Sequence, residues 1–447
     1  MTVNGSSMGD DARVRRYDRV IRQTPLAKSY GRVMQVVGLT IESRGPSARI
    51  GDVCLIHLPD GGRVSCEVVG FRGDRVLLMP LSDVAGLAAG CPVEATGQRL
   101  KVGVGQELLG RVIDGLGQPL DGLSAPRVSA LAAVDRDPPS PLSRPRIRAA
   151  FATGVRVIDG LLTLGRGQRI GLFAGSGVGK STLLGMIARG SEADVTVIAL
   201  VGERGREVRE FLERDLADAR SRSVVVVATS DRPALARIKA ALTATAIAEH
   251  FRDQGLDVLF MMDSVTRYAM ALREIGLAVG EPPTARGYTP SVFAALPKLL
   301  ERAGLAEQGS ITGVYSVLVD GDDLQDPITD AVRGILDGHI VLSRELANRG
   351  HYPAVDALAS VSRLMSDVAS APHRADAAQL RAWLAAKRDI EDLVRIGAYQ
   401  RGTDPVADQA LAVEAQLTAF LRQAVEEMEP LDETIARLHT LTGGGAA

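Results

Sequence analysis

The sequence predicts an α/β protein in three parts: a small N-terminal β-barrel, a central parallel-sheet domain around a phosphate-binding loop, and a C-terminal helical domain. Three observations predict it. Short alternating segments separated by Gly-rich turns fill residues 27–97, strand-like and helix-like segments alternate over 98–374, and only helical patterns remain over 375–447. A chain of 447 residues has room for two or three domains. A net charge of −2 and 4% aromatics argue against nucleic-acid binding by bulk electrostatics or base stacking, so no nucleic-acid partner is expected.

Residues 1–26 are expected to form a basic amphipathic helix. Val14, Tyr17, Val20 and Ile21 share helical spacing among Arg13, Arg15, Arg16, Arg19 and Arg22, and Thr24-Pro25 ends the pattern. Such a helix suits an anionic membrane surface, a docked partner, or simply a solvated face. The opening residues lack the apolar core of a secretory signal, and no run approaches the roughly 18–20 apolar residues of a membrane span. Cys54, Cys66 and Cys91 share no metal-ligand spacing and read as reduced thiols of a cytoplasmic protein. The six histidines are scattered, which argues against a His-based metal site.

In the barrel region Val64, Cys66 and Val68 alternate with Ser65 and Glu67 after the turn Asp60-Gly-Gly62, and Arg72-Gly-Asp74 separates the next pair. Asp114 to Gly122 and Pro138 to Pro145 are Gly- and Pro-punctuated connectors. Val195–Val201, Ser223–Ala228 and Val258–Met262 then read as buried parallel strands between helices. Near the end, Val413, Leu417, Phe420 and Leu421 mark one buried helix stripe, and the Gly-Gly-Gly-Ala-Ala tail reads as disordered.

The run Ala174 to Ser181 carries the chemistry. It follows the apolar Ile170-Gly-Leu-Phe173 and leads into the helical Thr182-Leu-Leu-Gly-Met-Ile-Ala. A strand feeding a Gly-rich turn that opens a helix gathers N–H groups around an anion. Gly175, Ser176, Gly177, Val178, Gly179, Lys180, Ser181 and Thr182 would cradle the phosphates of a nucleotide, with Lys180 on the β/γ-phosphates and the Ser181 hydroxyl on Mg²⁺. Ala174 stands where the strict pattern has Gly, at little cost because the phosphate approaches the later glycines.

Asp263 ends the buried strand Val258–Met262 and is placed to hold Mg²⁺ through a water. Glu203, after the strand ending in Val201, would polarise the water that attacks the γ-phosphate. Arg204 could hold Glu203 in place or touch that phosphate; the bland alternative is a surface pair worth under about 1 kcal/mol.

Phe173 to Thr182, Gly202-Glu-Arg-Gly-Arg-Glu207 and Met262-Asp-Ser-Val-Thr-Arg-Tyr-Ala269 resemble the ATPase of type III protein export. Gly280-Glu-Pro-Pro283, Leu336 to Arg344 and Gly350-His-Tyr-Pro-Ala354 carry the same resemblance, which runs from the barrel region to about Arg422. It implies a RecA-like central domain, ATP hydrolysis with Mg²⁺, and a homohexamer similar to the catalytic subunits of rotary ATP synthases. It also implies a stator or regulator protein at the N-terminal helix, contact with an export gate, chaperones and export substrates, and a place at the inner face of the cytoplasmic membrane. Arg363, in Leu358-Ala-Ser-Val-Ser-Arg-Leu364, matches the arginine that enters the neighbouring subunit's site; Arg344 and Arg349 compete for that role. Tyr399 is placed to line the adenine pocket, or to be a plain core tyrosine. Asp320 stands where the family usually has Glu.

Leu78-Met-Pro-Leu81, Gly321 to Pro327 and Ile396-Gly-Ala-Tyr399 favour the flagellar branch, while Arg395-Ile-Gly and Tyr399-Gln-Arg-Gly402 also suit the injectisome. Other classes remain in play. A rotary coupling subunit should carry an acidic Asp-Glu-Leu-Ser-Glu-Glu-Asp segment, absent from the C-terminal third. A hexameric RNA translocase needs a basic, aromatic barrel, and a nonenzymatic chaperone-docking protein would bind ATP without turnover.

Overall fold

The computed structural model describes residues 28–319, 323 and 325–443. The expected N-terminal helix, Asp320 and the last four residues of the tail lie outside the described residues.

Two compact units divide the chain after Arg99. The first is a closed six-stranded barrel: β1 (Tyr30–Val37), β2 (Thr40–Arg44), β3 (Asp52–His57), β4 (Arg63–Arg72), β5 (Arg75–Pro80) and β6 (Pro92–Arg99), ordered β1-β2-β5-β4-β3-β6. Its core is the expected alternation, with Val64, Cys66 and Val68 facing Cys54, Ile56 and Val93. Gly61 (φ 87°) and Gly73 (φ 59°) take left-handed conformations in the two turns that the glycines mark. The three cysteines are free and buried, and burial pushes the Cys54 thiol up to about 11 and Cys66 to about 12.

The second unit is built on a nine-stranded sheet. Its main strands are β7 (Val112–Asp114), β8 (Arg169–Ala174), β9 (Val195–Val201), β10 (Ser223–Ala228), β11 (Asp257–Asp263), β12 (Ser310–Leu318), β13 (Gly338–Leu342) and β14 (Val361–Ser362). They run in the order β14-β13-β8-β12-β11-β9-β10-β7, with Gly304–Leu305 paired to β12 off this path. All neighbours on the path pair in parallel except β13–β14. Alternate residues feed two cores: Val197, Ala199 and Val201 of β9 face one side, Ile198 and Leu200 the other. That is why these strands read as continuous apolar runs.

On the first face lies α4 (Ala234–Arg252); its buried alanines (Ala240, Ala241, Ala244 and Ala248) bring it close to the sheet. Beside it lie α5 (Val265–Val279) and α6 (Pro290–Leu300). The second face carries α1 (Arg156–Leu161), α2 (Lys180–Gly190) and α3 (Gly205–Glu210). The C-terminal helices α8 (Ala371–Arg395), α9 (Pro405–Ala412), α10 (Glu414–Leu421) and α11 (Leu431–Thr442) share that core, where Trp383, Leu417, Phe420 and Leu438 join Leu183 and Met186 of α2. α7 (Pro327–Ile335) precedes β13.

Two readings shift. The first C-terminal helix starts at Ala371, four residues before the expected boundary, because the Ser370 hydroxyl caps it by accepting the His373 N–H at 3.3 Å. The stripe from Val413 to Leu421 is interrupted: Val413 is the joint between α9 and α10, and only Leu417 and Phe420 are fully buried.

Candidate active site

The phosphate loop begins where β8 leaves the sheet. Ala174 is 1% exposed and points into the second core, so alanine at this position packs the sheet without crowding the anion cradle. The turn itself depends on Gly177 (φ 79°) and Gly179 (φ 91°), and α2 opens at Lys180. A Cβ on Gly177 would meet nothing within 4 Å, so that glycine serves backbone conformation alone. Val178, buried between them, pins the loop to the core, and the Arg344 guanidinium donates to the Ser176 carbonyl at 3.2 Å. Among the described residues, the N–H groups of Ser176 to Gly179 donate to no protein acceptor. Together with the N-terminus of α2 they form a cradle with the polarity and shape of a polyphosphate site.

Three charged side chains converge beside it. The Lys180 ammonium bonds directly to Asp263 Oδ1 and lies 3.8 Å from Glu203 Oε1. Asp263 ends β11, two strands from β8, and the intervening β12 supplies Ser316, whose hydroxyl donates to Asp263 Oδ1 at 2.6 Å. Glu203 follows β9, whose Leu200 pairs with Asp263, so both carboxylates occupy the same edge of the sheet. Glu203 is 8% exposed, and its Oε1 has no hydrogen-bond donor. Burial, with the Asp263 charge adding to it, raises its carboxyl to about 7 against the pull of Lys180 and Arg267. A carboxyl that ionises near neutrality, with a buried oxygen that no donor satisfies, is matched to taking hydrogen bonds from a reacting water.

The nearest guanidinium to Glu203 belongs to Arg267 on α5, at 3.4 Å, and sequence reasoning missed it. Gly202 (φ 73°) makes that approach possible, since a Cβ there would sit 2.7 Å from Arg267 Cδ. Arg204 does not hold Glu203: its side chain is exposed and pairs with Glu207 at 3.1 Å. The helix that begins at Gly205 turns Arg204 outward, which the sequence alone did not reveal.

A cleft of about 600 Å³ opens beside the loop, lined by Gly177, Gly179, Thr182, Met186, Tyr352 and Val425 among others. The aromatic ring beside the loop is thus Tyr352, 44% exposed and 3.4 Å from the Cβ position of Gly179. Tyr399 is not among the cleft residues. Its hydroxyl donates to Asp408 at 3.0 Å in the connection between α8 and α9, and the expectation that it lines the adenine pocket is corrected. The signal for Tyr352 was present in Gly350-His-Tyr-Pro, where an exposed tyrosine precedes a proline.

Arg363 lies at the far end of the sheet. It follows β14, where Ser362 pairs with Gly338, whereas Ala174 at the start of the loop pairs with Leu342. Four residues of strand separate the two levels, roughly 13 Å, so Arg363 cannot reach the loop of its own chain. Its guanidinium is exposed and donates to the Arg333 carbonyl at 3.4 Å. Arg349 is tied to Glu345 and Glu391.

Among the described residues no three His, Cys, Asp or Glu side chains are grouped to hold a metal ion. Mg²⁺ needs no such cage when phosphate and water oxygens complete its shell. The Ser181 hydroxyl in the first turn of α2 and the buried Asp263 carboxylate supply hard oxygen donors beside the cradle, and these two would hold it. Held by Ser181 and Asp263, the cation would offset the negative charge of a bound polyphosphate.

A parallel sheet with this loop, lysine and pair of carboxylates at one edge defines a P-loop nucleoside triphosphatase. Residues 154–362 match the ATP synthase alpha/beta family nucleotide-binding domain, residues 33–97 that family's beta-barrel domain, and residues 369–440 the T3SS EscN ATPase C-terminal domain. The flagellum-specific ATP synthase of Bacillus subtilis is 57% identical over 426 residues, covering 95% of this chain and 97% of that protein. The assembled ATPase EscN of the enteropathogenic E. coli type III secretion system superposes with a TM-score of 0.88 at 49% identity, covering 92% of this chain and all of that one. EscN in complex with its central stalk EscO gives 0.86 at 48% identity, with the same coverage. The chain belongs to the family of flagellum-specific ATP synthases and type III secretion system ATPases, and it is an enzyme that hydrolyses ATP with Mg²⁺. No helix of the described residues is long and apolar enough to cross a membrane.

Proposed function

We propose that this chain is the ATPase of a flagellar type III export apparatus, a homohexamer that uses ATP hydrolysis to release and unfold export substrates and their chaperones. One observation carries the proposal: the Lys180–Asp263–Glu203 cluster and Arg363 lie at opposite ends of one sheet. A ring of identical subunits brings the two ends together, so one gene product completes every interface. In this reading Lys180 binds the β/γ-phosphates, Ser181 and Asp263 hold Mg²⁺, Glu203 orients the attacking water, and Arg363 enters the neighbour's site as an arginine finger. Tyr352 stacks on the base.

The higher identity to the flagellar relative, 57% against 49% for EscN, favours the flagellar branch over the injectisome. The assembled state of EscN and its complex with EscO support a ring that engages a stalk protein. The N-terminal segment recruits a stator or regulator that holds the ring at the export gate, on the cytoplasmic face of the membrane. A deletion strain tests the branch. Loss of motility with host-directed secretion intact is expected; the opposite pattern assigns the chain to the injectisome. Specific ATPase activity should rise with protein concentration, and dilute monomer with full activity per chain would refute the shared site.

A further inference from the structure

We infer that Arg156 is a positioning residue for the base side of the nucleotide cleft, acting through the strap Arg422–Val425. The inference rests on the reading that the nucleoside lies between the phosphate loop and Tyr352. Arg156 opens α1, is 2% exposed, and directs its guanidinium entirely at the C-terminal segment. Nε donates to the Phe420 carbonyl at 3.2 Å, Nη2 to the Arg422 carbonyl at 2.6 Å, and Nη1 to the Glu429 carboxylate at 2.9 Å. Both Nη atoms also grip Glu427.

The backbone continues the grip. The Arg156 N–H donates to the Gln423 side-chain oxygen at 2.8 Å, and Gln423 passes its own amide to the Gly154 carbonyl at 2.7 Å. The Gln423 backbone N–H donates to the Tyr352 carbonyl at 3.0 Å, and the Ala424 N–H reaches Glu427 at 3.3 Å. Residues 422 to 425 lie past the end of α10, which the Arg422 N–H closes by donating to the Thr418 carbonyl at 3.0 Å, and all four line the cleft. Besides these backbone bonds, side chains hold the strap. Arg189, in the last turn of α2, holds the Val425 carbonyl at 2.7 Å, and Arg156 holds the other end.

A buried guanidinium with two carboxylates is a poor source of net stability, because desolvation offsets the attraction. What it supplies is direction. A planar fork meets several acceptors at fixed angles, which an ammonium cannot do. Arg156 thus sets the distance between the strap and Tyr352, and with it the fit of the base, while leaving the phosphate cradle untouched.

Steady-state hydrolysis by Arg156→Lys and Glu427→Gln tests this, with inorganic tripolyphosphate as a competitor that reaches the loop but not the strap. Glu427 is half-exposed, so that variant keeps the test valid if the buried one fails to fold. Arg156→Lys should raise KM for ATP about tenfold and Glu427→Gln roughly threefold, the scale of one charge-assisted hydrogen bond, with kcat within about twofold. Discrimination between ATP and GTP in kcat/KM should shrink, and the inhibition constant of tripolyphosphate should stay unchanged. Unaltered KM for ATP in both variants overturns the inference, as does a parallel weakening of tripolyphosphate, which would mean general damage to the loop. Tyr352→Ala separates the two readings. If it leaves ATP affinity intact, the placement of the base is wrong; if it weakens ATP while the Arg156 and Glu427 variants do not, only the positioning role fails.

Discussion

Replacing Glu203 by Gln should make the protein more stable at alkaline pH and nearly inactive. Burial and the neighbouring Asp263 raise this carboxyl from 4.5 to about 7. At ~1.4 kcal/mol per pH unit, holding it ionised in the folded chain costs about 3 kcal/mol. The unfolded chain releases the proton near 4.5 and the folded chain only near 7, so the folded state binds more protons in that window. Stability therefore falls as pH rises from about 4.5 to 7, and the whole cost is present above it. Gln has nearly the same shape and no charge to desolvate, so its advantage should be near zero at pH 4.5 and about 3 kcal/mol at pH 8. Turnover should fall roughly 10²- to 10⁴-fold with loss of the group that orients water, while ATP binding is retained through the loop and Lys180. Denaturant unfolding of both proteins at pH 5 and pH 8, with ATP hydrolysis measured alongside, is the assay. In the native protein kcat/KM should decline below about pH 7 as Glu203 takes up its proton, and the variant should lack that limb. A stability difference independent of pH would refute the electrostatic reasoning, and native turnover in the variant would refute the role of Glu203.

Lys180→Ala should weaken ATP binding roughly 10- to 100-fold, measured by calorimetry, since the charged contact to phosphate is lost; affinity equal to that of Glu203→Gln would contradict the division of roles. Arg363→Ala should lower turnover by about 10³ or more without altering ATP affinity. Mixed with Glu203→Gln subunits it should regain activity, because about a quarter of random interfaces then carry both native residues; no recovery on mixing would place the finger elsewhere. Arg302→Met leaves Glu249 buried at 1% exposure, with Arg302 no longer holding both its oxygens at 2.8 Å. Unfolding free energy should drop by about 3–5 kcal/mol and largely return when Glu249→Leu is added; a harmless single variant would show that pair to be dispensable.

Much of the fold was legible because its signals are local. Val195–Val201 and Ser223–Ala228 appear as strands with the limits read from their β-branched runs, since strands covered on both faces must be apolar throughout. The barrel's alternation and the left-handed glycines of its turns are likewise written in adjacent residues. So is the phosphate loop, where Gly177 and Gly179 take φ values that other residues avoid and Lys180 opens the helix. The errors fell where a side chain's direction matters. Arg204 is adjacent to Glu203 in sequence yet faces solvent, whereas Arg267, 64 positions away, lies beside it. Tyr399 looked available for the base, but its hydroxyl is bound to Asp408 and Tyr352 occupies the cleft.

The sequence by itself determined the loop, the strands that lead into Glu203 and Asp263, and the family motifs around Arg363, because each depends on residues a few positions apart. Only the tertiary structure decided which charges meet. Parallel pairing of β8, β12, β11 and β9 lines up their C-terminal ends, so that Lys180, Ser316, Asp263 and Glu203 converge from separate segments. The antiparallel return of β14 carries Arg363 to the opposite edge. Strand order and direction come from packing two apolar faces against helices, a property of the whole sheet that no short stretch of residues contains.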